Sequence, residues 1–435
     1  MVTQAKPYPA KSNQPMIHRA PWVAADVSSD IHGDTWGIIE DGAVFVSDGL
    51  IKAVGNSKDI IKEFGSHPIR EHECGVLTPA LINSHCHLEL SHLDFTEPGI
   101  GQPKYSGDPT LWIRDLIKAR DNLPNNDIDA EKQILSKGSQ TLQDMSDEGV
   151  GFVGDIGNSL SSRLIGQGKS TKVFFLLELL GLTKESEAQA MARLENISSD
   201  DSLDVSCTAH APYSTTPGLI RGIKKYADRQ GHIFSIHAAE SSQEVEFLQT
   251  GQGQFLDFLH ERGAWDNSFK IPGKGSVHYL ESLGVLNDKT LCVHVVHVGH
   301  EEIETLASRK AKICLCPGSN RFLGVGKAPV TEFLAHGIFP ALGTDSKSSN
   351  AVLSIWREMR LLREDHPGLS PGTVFSMATR GGAEAWGIES EMGSLEPGKQ
   401  ARILIVDCQS NMNSSEEILE YMTTAGESVQ VEWVE

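Results

Sequence analysis

The chain has 435 residues, of which 39% are apolar and 22% are charged, and its formal net charge is −20. This composition is typical of a globular protein with room for more than one domain, and it excludes a mainly disordered chain. The acidic balance argues against a nucleic-acid partner, because phosphate backbones are bound by clustered lysine and arginine side chains.

The N-terminal segment and the cysteines predict a cytoplasmic protein. The first residues have no apolar stretch of the kind found in secretory signals, and we interpret residues 1–15 as a disordered tail. No run of about 18 apolar residues occurs, so no membrane span is expected. The seven cysteines are odd in number and scattered, which is typical of free thiols in a reducing compartment.

Both ends of the chain predict small β elements. Near the N-terminus, Asp41-Gly42 and Asp48-Gly49 interrupt apolar runs and are typical of hairpin turns. Near the C-terminus, Pro397-Gly398 precedes the apolar run ARILIVD. We therefore predict a small β-sandwich formed from both chain ends, residues 16–78 and 390–435, around a central domain at residues 79–389.

The central region alternates apolar runs with amphipathic stretches. Eight apolar runs occur, namely GVLTPALINSHCH, GVGFVGDIG, KVFFLLELLG, DVSCTAHAPYS, IFSIHAAE, LCVHVVH, AKICLCPGS and IFPALGTDS. Such runs are typical of parallel strands that are buried on both faces. Eight β/α units predict an α/β fold, a distorted (β/α)8 TIM-like barrel. The alternative of an open doubly wound sheet is weakened, because no G-x-G-x-x-G motif follows the first strand.

Polar side chains lie at the C-terminal end of nearly every predicted strand. In chain order they are His85, His87, Asp155, Glu178, His210, His237, Glu240, His294, His297, Ser319, Asn320 and Asp345. In a barrel these ends converge on one mouth, which is where active sites lie. This clustering predicts an active site made from several distant segments of the chain.

The pair His85 and His87 suggests a metal centre within that mouth. Residues two apart on a strand point to the same side, so both imidazoles face the barrel axis. A single buried histidine is more often a hydrogen-bonded core residue than a ligand. With His237 and Asp345, however, the chain supplies three imidazoles and a carboxylate, a ligand set that zinc accepts.

Several of these segments resemble the amidohydrolase superfamily. PALINSHCHLELS, HAPYS, HAAE, CPGSNRFLGVGKAPV and ALGTDSKSSN are similar to its branch of cytosine-deaminase-like and chlorohydrolase-like enzymes. Within that branch, NSHCHLELS, LWIRDLIKAR and SNRFLGVGKAP most resemble aminodeoxyfutalosine-deaminase-type sequences. The resemblance extends over about residues 35 to 410 and implies the same barrel with a small β-sandwich.

The resemblance also implies roles for the metal-centre residues. His85, His87, His237 and Asp345 would bind the metal, and Glu240 would be the general acid/base. His294 would polarise the substrate, with His297 as the competing candidate. Two-metal members use a bridging lysine at the third or fourth strand, where this chain has Glu178 and His210. We therefore expect one divalent ion, with zinc favoured over iron or manganese.

Substrate contacts are predicted for a second group of residues, which comprises His210, Trp112, Glu178 and Arg321. For two of them an alternative stays open. Trp112 would equally suit a core-facing position on a helix, and Arg321 would equally suit a charged surface loop. Asp155 and Tyr213 are left without a role, and a homodimer is expected from the family alone.

The implied reaction is hydrolytic deamination of a purine, an adenosine-like nucleoside or a related N-heterocycle, with release of ammonia. A divalent metal lowers the pKa of bound water to about 7, so a metal-bound hydroxide forms near neutral pH. Glu240 would carry the water proton to a ring nitrogen, and Asp345 would pass a proton to the departing amine.

Two other functions compete with deamination. Hydrolytic dehalogenation of a triazine would use the same hydroxide, but in this branch it accompanies loss or replacement of the acid/base glutamate, which is present here as Glu240. A catalytically inactive structural relative would have lost metal ligands, whereas all four ligand positions are intact.

Overall fold

The computed structural model describes residues 14–25, 37–95, 104–121, 127–200, 205–408, 412 and 414–434. The predicted disordered tail lies outside these ranges, except for residues 14 and 15. Among the described residues, no helix is both long enough and apolar enough to cross a membrane.

The strands of the described residues are as follows. They are β1 (Met16–Ala25), β2 (Gly37–Ser47), β3 (Leu50–Asn56), β4 (Ile69–Glu71), β5 (Val76–Pro79), β6 (Leu81–Cys86), β7 (Val150–Gly157), β8 (Lys172–Leu179), β9 (Ser206–Ala209), β10 (Phe234–Ala238), β11 (Thr290–His294), β12 (Lys312–Leu315), β13 (Ala341–Leu342), β14 (Ile403–Asp407) and β15 (Gln430–Trp433).

The α-helices alternate with the central strands and also flank the terminal ones. They are α1 (Ser57–Phe64), α2 (Pro109–Asp121), α3 (Asp127–Asp147), α4 (Lys184–Ser199), α5 (Pro217–Gln230), α6 (Ser242–Thr250), α7 (Gln254–Glu261), α8 (Ser276–Ser282), α9 (His300–Arg309), α10 (Pro317–Leu323), α11 (Val330–Ala335), α12 (Ile355–Asp365), α13 (Pro371–Ser376), α14 (Gly382–Trp386) and α15 (Ser415–Thr424).

Eight parallel strands form the central barrel, as the apolar runs predict. The hydrogen-bonded ladders run in the orders β6-β7-β8-β9 and β10-β11-β12-β13. The two halves meet where the backbone N–H of His237 donates to the carbonyl oxygen of His210 (3.0 Å). The ring closes at the other seam, where the N–H groups of Thr344 and Asp345 both donate to the carbonyl oxygen of His85 (3.0 Å each). The predicted (β/α)8 fold class is confirmed.

The strands of the two chain ends form one further sheet. Its order is β15-β14-β5-β1-β2-β3, with β4 paired to β1. The helix α15, although it lies between β14 and β15 in the chain, packs Ile418 and Met422 into the same buried cluster as Trp356 of α12. The C-terminal segment therefore contributes strands to the terminal sheet and a helix to the barrel side. The domain boundaries at 78/79 and 389/390 stay a prediction.

One of the two predicted Asp-Gly hairpins forms and the other does not. Asp48 and Gly49 have φ values of 55° and 71° and connect β2 to β3, as expected for a two-residue turn. Asp41-Gly42 lies inside β2, so that prediction is wrong. The pairing of β1 with β2 continues on both sides of it, and Asp41 forms an ion pair across the sheet with Arg19 (2.8 Å).

Helix boundaries follow capping residues of the sequence. At the start of α5, the hydroxyl of Thr216 accepts a hydrogen bond from the N–H of Leu219 (3.3 Å), and Pro217 occupies the first helical position. The helix ends at Gly231, whose φ of 77° suits glycine. These signals begin α5 after β9 and end it before β10, and helices between parallel strands keep the carboxyl ends of those strands at one mouth.

Close packing against Trp386 leaves no room for a side chain at position 154 of β7. A Cβ atom added at Gly154 would lie 2.0 Å from Cζ2 of Trp386 and 2.9 Å from the carbonyl oxygen of Ser84. Trp386 is held there by a hydrogen bond from its Nε1 to that same oxygen (3.2 Å). The glycine is therefore required by the approach of the indole to the strand.

We expect Gly154→Ala to lower the free energy of unfolding by about 1–3 kcal/mol, the usual cost of overpacking a tight core. Urea denaturation measures this change. Gly368→Ala is the matched control, because nothing lies within 4 Å of the added methyl group. Equal stability of Gly154→Ala and the wild-type protein would contradict the packing described.

Candidate metal centre and active site

The end of β6 delivers two imidazoles into the barrel mouth. His85 is 1% exposed and His87 is 9% exposed. The side chain of Asn83 ties β6 to the last barrel strand by donating to Oγ1 of Thr344 (2.8 Å). Directly after His87, the N–H of Leu88 donates to Oδ1 of Asp155, a buried residue of β7 (2.9 Å). These bonds set the position of the histidine pair against the opposite seam of the barrel.

Four side chains from three strand ends converge at this point. Nε2 of His85 lies 3.2 Å from Nε2 of His87 and 3.1 Å from Nε2 of His237. Oδ1 of Asp345 lies 3.6 Å from Nε2 of His85 and 3.4 Å from Nε2 of His87. All four ligand-type atoms lie within 4.8 Å of one another. The four residues that the sequence proposes as metal ligands are thus brought together.

The chemistry of this donor set fits a divalent cation. Nδ1 of His237 donates to the carbonyl oxygen of His210 (2.8 Å), which directs the lone pair of its Nε2 into the group. A single nitrogen of His85 faces two further imidazole nitrogens, and at most one of these contacts can be a hydrogen bond. Converging lone pairs repel one another unless a cation lies between them.

The ionisation states agree with that requirement. Burial, followed by the neighbouring His85, lowers the pKa of His87 to about 4. Burial and the surrounding imidazoles lower the pKa of His237 well below its usual value. Burial opposes ionisation of Asp345, but the nearby imidazoles, that of His85 first, hold its pKa well below the usual range. Neutral imidazoles and an ionised carboxylate are the forms that bind metal.

Two hydroxyl groups hold the carboxylate of Asp345. Ser319 and Ser349 each donate through Oγ to Oδ2 (2.7 Å each). These bonds stabilise the anion and leave Oδ1 facing the histidines. Ser349 was missed by the sequence analysis, since a serine in a Ser-rich loop carries no signal that it will reach back to Asp345.

Glu240 and His294 form a second group beside the ligands. Oε1 of Glu240 lies 3.5 Å from Nε2 of His294, and both groups lie within 4.8 Å of a carboxylate oxygen of Asp345. Nδ1 of His294 donates to Oδ1 of Asn320 (3.0 Å). The contact between Glu240 and His294 is attractive only when one partner carries a proton, which makes the two side chains a candidate acid/base pair. Burial raises the pKa of Glu240, and Asp345 adds to that effect while His294 opposes it.

The backbone is strained where these groups leave their strands. Ala239, His294, Val295 and Asp345 have φ values of 52°, 72°, 49° and 58°. The left-handed region is uncommon for residues other than glycine, and such strain persists where surrounding contacts enforce it. Strain of this kind clusters at functional sites, which adds support to the candidate site.

Glu178 and His210 line the group on the side of β8 and β9. The ring centroid of His210 lies 5.1 Å from that of His237, and its Nδ1 shares a hydrogen bond with Oγ of Ser214 (2.6 Å). Oε2 of Glu178 accepts from Nδ2 of Asn158 (2.9 Å). Its Oε1 is buried without a hydrogen-bond partner among the described residues, 4.0 Å from Nδ1 of His237. A buried acceptor of this kind can bind a donor on a ligand.

Two of the predicted substrate contacts are engaged elsewhere. The guanidinium of Arg321 pairs with Glu364 (2.7 Å) and Asp365 (2.8 Å) of α12, so Arg321 has no place in the candidate site. Nε1 of Trp112 donates to the carbonyl oxygen of Ser348 (2.9 Å), and its ring packs with the cluster of Tyr105, Leu323 and Val325. Arg321 lies within α10 and not in a loop, so the charged-loop alternative is wrong, whereas the alternative of a packed aromatic on a helix accounts for the contacts of Trp112.

The structure also places the three residues whose roles the sequence analysis left undecided. Nε2 of His297 shares a hydrogen bond with the carbonyl oxygen of Val325 (2.7 Å), so His294 is the histidine that faces Glu240. Asp155 is 1% exposed, and its Oδ1 accepts the hydrogen bond from the N–H of Leu88. Tyr213 packs against Phe255, with ring centroids 4.3 Å apart. Asp155 and Tyr213 thus support the walls of the site.

Comparison with known proteins agrees with this geometry. The model of the amidohydrolase family matches residues 76–431. The chain belongs to the amidohydrolase family. Among other amidohydrolases, it is 28% identical over 392 residues to the aminodeoxyfutalosine deaminase of a Nitratiruptor species, covering 88% of this chain and 91% of that protein.

Two further similarities extend this result. The chain is 30% identical over 392 residues to the 5-methylthioadenosine/S-adenosylhomocysteine deaminase of Moorella thermoacetica, covering 85% of this chain and 82% of that protein. A zinc-bound adenosine deaminase from Xanthomonas campestris superposes with a TM-score of 0.73 at 22% identity, covering 94% of this chain and 88% of that structure. The latter likeness supports the barrel fold of this amidohydrolase.

Proposed function

We propose that this amidohydrolase is a metal-dependent hydrolytic deaminase of an adenosine-like nucleoside, which it converts with release of ammonia. One observation carries the proposal: the four converging ligand-type atoms lie directly beside Glu240 and His294, whose Oε1 and Nε2 are 3.5 Å apart. A ligand set for a Lewis acid next to an acid/base pair is the combination that hydrolytic displacement of an amine needs.

The metal would be held by His85, His87, His237 and Asp345. When bound there, a divalent ion supplies Lewis acidity that allows water to ionise near neutral pH. Zinc suits three imidazole nitrogens and one carboxylate oxygen, and iron or manganese are the alternatives.

Glu240 performs the proton transfers of the first half of the reaction. Its Oε1 takes a proton from the attacking water and delivers it to a ring nitrogen of the substrate, which makes the adjacent carbon electrophilic. The raised pKa of Glu240 brings this carboxyl group closer to the pH at which it must both accept and donate a proton. His294, which is fixed by Asn320, orients the attacking oxygen through Nε2.

Asp345 has a second proposed role, and Glu178 and His210 are proposed to contact the substrate. The carboxylate of Asp345 takes the second proton of the attacking water and passes it to the departing amine, which leaves as ammonia, while Ser319 and Ser349 keep the carboxylate in place. Glu178 offers the free Oε1 to a donor on the substrate, and His210 provides a second polar contact. The deaminase relatives favour an adenosine-like substrate, with aminodeoxyfutalosine as the first compound to examine.

A screen for ammonia release tests the proposal. The zinc-loaded protein is incubated with aminodeoxyfutalosine, 5′-methylthioadenosine, S-adenosylhomocysteine, adenosine, cytosine and a chlorinated triazine, and both ammonia and chloride are measured. We expect ammonia from at least one adenosine-like compound, with kcat/KM of about 10⁴ M⁻¹s⁻¹ or higher, the lower end of the usual enzyme range.

The other outcomes of the screen identify the competing functions. Chloride release from the triazine without ammonia from any nucleoside would indicate a chlorohydrolase. No turnover of any compound by fully metal-loaded protein would indicate an inactive relative. Either result would contradict the proposed deaminase activity.

A further inference from the structure

The turn after β10 carries Glu240, and its backbone is held from both sides. The carbonyl oxygen of Ala239 accepts hydrogen bonds from the N–H groups of Val296 (2.9 Å) and His297 (2.8 Å). On the other side, the N–H groups of Ala239 and Glu240 donate to Oε1 (2.8 Å) and Oε2 (3.0 Å) of Glu244. These contacts enforce the left-handed φ of 52° at Ala239.

Glu244 does not act as an ordinary helix cap. It is the third residue of α6, whose N-cap is Ser241, and in a capping box its carboxylate would accept from the N–H of that N-cap. Its two oxygens instead bind the two N–H groups that precede Ser241. The side chain is 0% exposed, and Oγ of Ser276 donates to Oε1 (2.6 Å). The carboxylate is therefore directed at the active-site turn rather than at its own helix.

We infer that Glu244 is a positioning residue, whose carboxylate fixes the Ala239–Glu240 turn so that Oε1 of Glu240 stays 3.5 Å from Nε2 of His294. The inference rests on the proposed acid/base role of Glu240. Both oxygens of Glu244 accept hydrogen bonds from backbone N–H groups. A glutamine side chain here would place its NH2 group, a donor, opposite one of those N–H donors. The turn would then have to move, and the carboxylate of Glu240 with it.

Glu302 provides a matched control within the same chain. It is the third residue of α9 and is 9% exposed. Its Oε2 accepts from the N–H of Gly299, the N-cap of that helix (3.2 Å), which is the ordinary capping arrangement. Glu302→Gln therefore reports what loss of a buried capping carboxylate costs when that carboxylate bonds to the N-cap of its own helix and not to the turn that carries Glu240.

The test compares Glu244→Gln, Glu302→Gln and the wild-type holoenzyme by kcat for ammonia release, metal content and thermal midpoint. We expect Glu244→Gln to lose about 10- to 100-fold in kcat with metal content unchanged, since a misplacement of about 1 Å costs up to 10²-fold. Glu302→Gln can keep its single capping bond through the amide oxygen and should keep kcat within about twofold. Wild-type kcat in Glu244→Gln, or an equal loss in Glu302→Gln, would overturn the inference.

Two additions keep the test decisive. Should Glu244→Gln not fold, Glu244→Asp replaces it, because a side chain one methylene shorter cannot reach both N–H groups and should also lower kcat. Crystal structures of the variants then measure the Glu240–His294 separation without any need for turnover. If the wild-type enzyme releases no ammonia, the proposed function fails, and an unchanged separation in the Glu244 variant is what would refute the positioning role.

Discussion

Replacing Glu240 by glutamine should lower kcat for ammonia release by about 10²- to 10⁴-fold, the range typical of a lost general acid/base. Glutamine keeps the shape of the side chain but cannot carry the proton from water to the substrate. The four ligand-type atoms do not include Glu240, so the variant should bind the metal as the wild type does. The measurement is steady-state kinetics together with metal analysis of the same preparations.

Glu246→Gln is the matched control for this variant. Glu246 is an exposed residue of α6, so the same chemical change occurs six residues further along the chain, outside the site. Its kcat should stay within about twofold of the wild-type value. Equal rates for Glu240→Gln and the wild-type protein would refute the assigned role of Glu240.

Removing one imidazole of the ligand group should abolish activity through loss of the metal. We expect His87→Ala to weaken zinc binding by more than about 100-fold, because even the loss of a supporting hydrogen bond costs about 10- to 100-fold. A 100-fold weaker affinity removes about 2.7 kcal/mol of the stabilisation that saturating zinc confers on the folded state. Zinc should thus raise the thermal midpoint of the wild-type protein much more than that of the variant.

Metal content and thermal midpoints with and without zinc measure this effect. His260→Ala serves as the control, because His260 is an exposed histidine at the end of α7 and takes no part in the candidate centre. It should bind zinc as the wild type does. A His87→Ala protein with unaltered zinc affinity would show that the converging side chains are not a metal centre.

The barrel could be predicted from the sequence because its strands are buried on both faces. A strand such as β7, with every residue buried, is apolar except for Asp155 near its carboxyl end, so each run stands out from the amphipathic helices around it. The polar residues at the carboxyl ends could be recognised for the same reason, since they interrupt otherwise apolar runs. The Asp41-Gly42 hairpin failed as a prediction because an ion pair and continued strand pairing can hold the same dipeptide inside a strand.

The contacts of the residues around the site could not be predicted from the sequence. Ser241-x-x-Glu244 matches the capping-box pattern, so local sequence predicts an ordinary helix start and not a bond to the turn that carries Glu240. Likewise, Arg321 follows a strand end, but its direction depends on two acidic residues more than 40 positions away. Such contacts depend on how distant helices pack, which no local pattern encodes.

The sequence by itself determined the parallel barrel and predicted the side chains of the candidate metal centre, because burial and strand periodicity act on near neighbours in the chain. Only the tertiary structure decided which histidine faces Glu240, which oxygen of Asp345 faces the imidazoles and which carboxylate fixes the turn after β10. The physical reason is that these choices depend on distances of about 3 Å between atoms from separate strands and helices, and hydrogen-bond energies fall steeply outside that range.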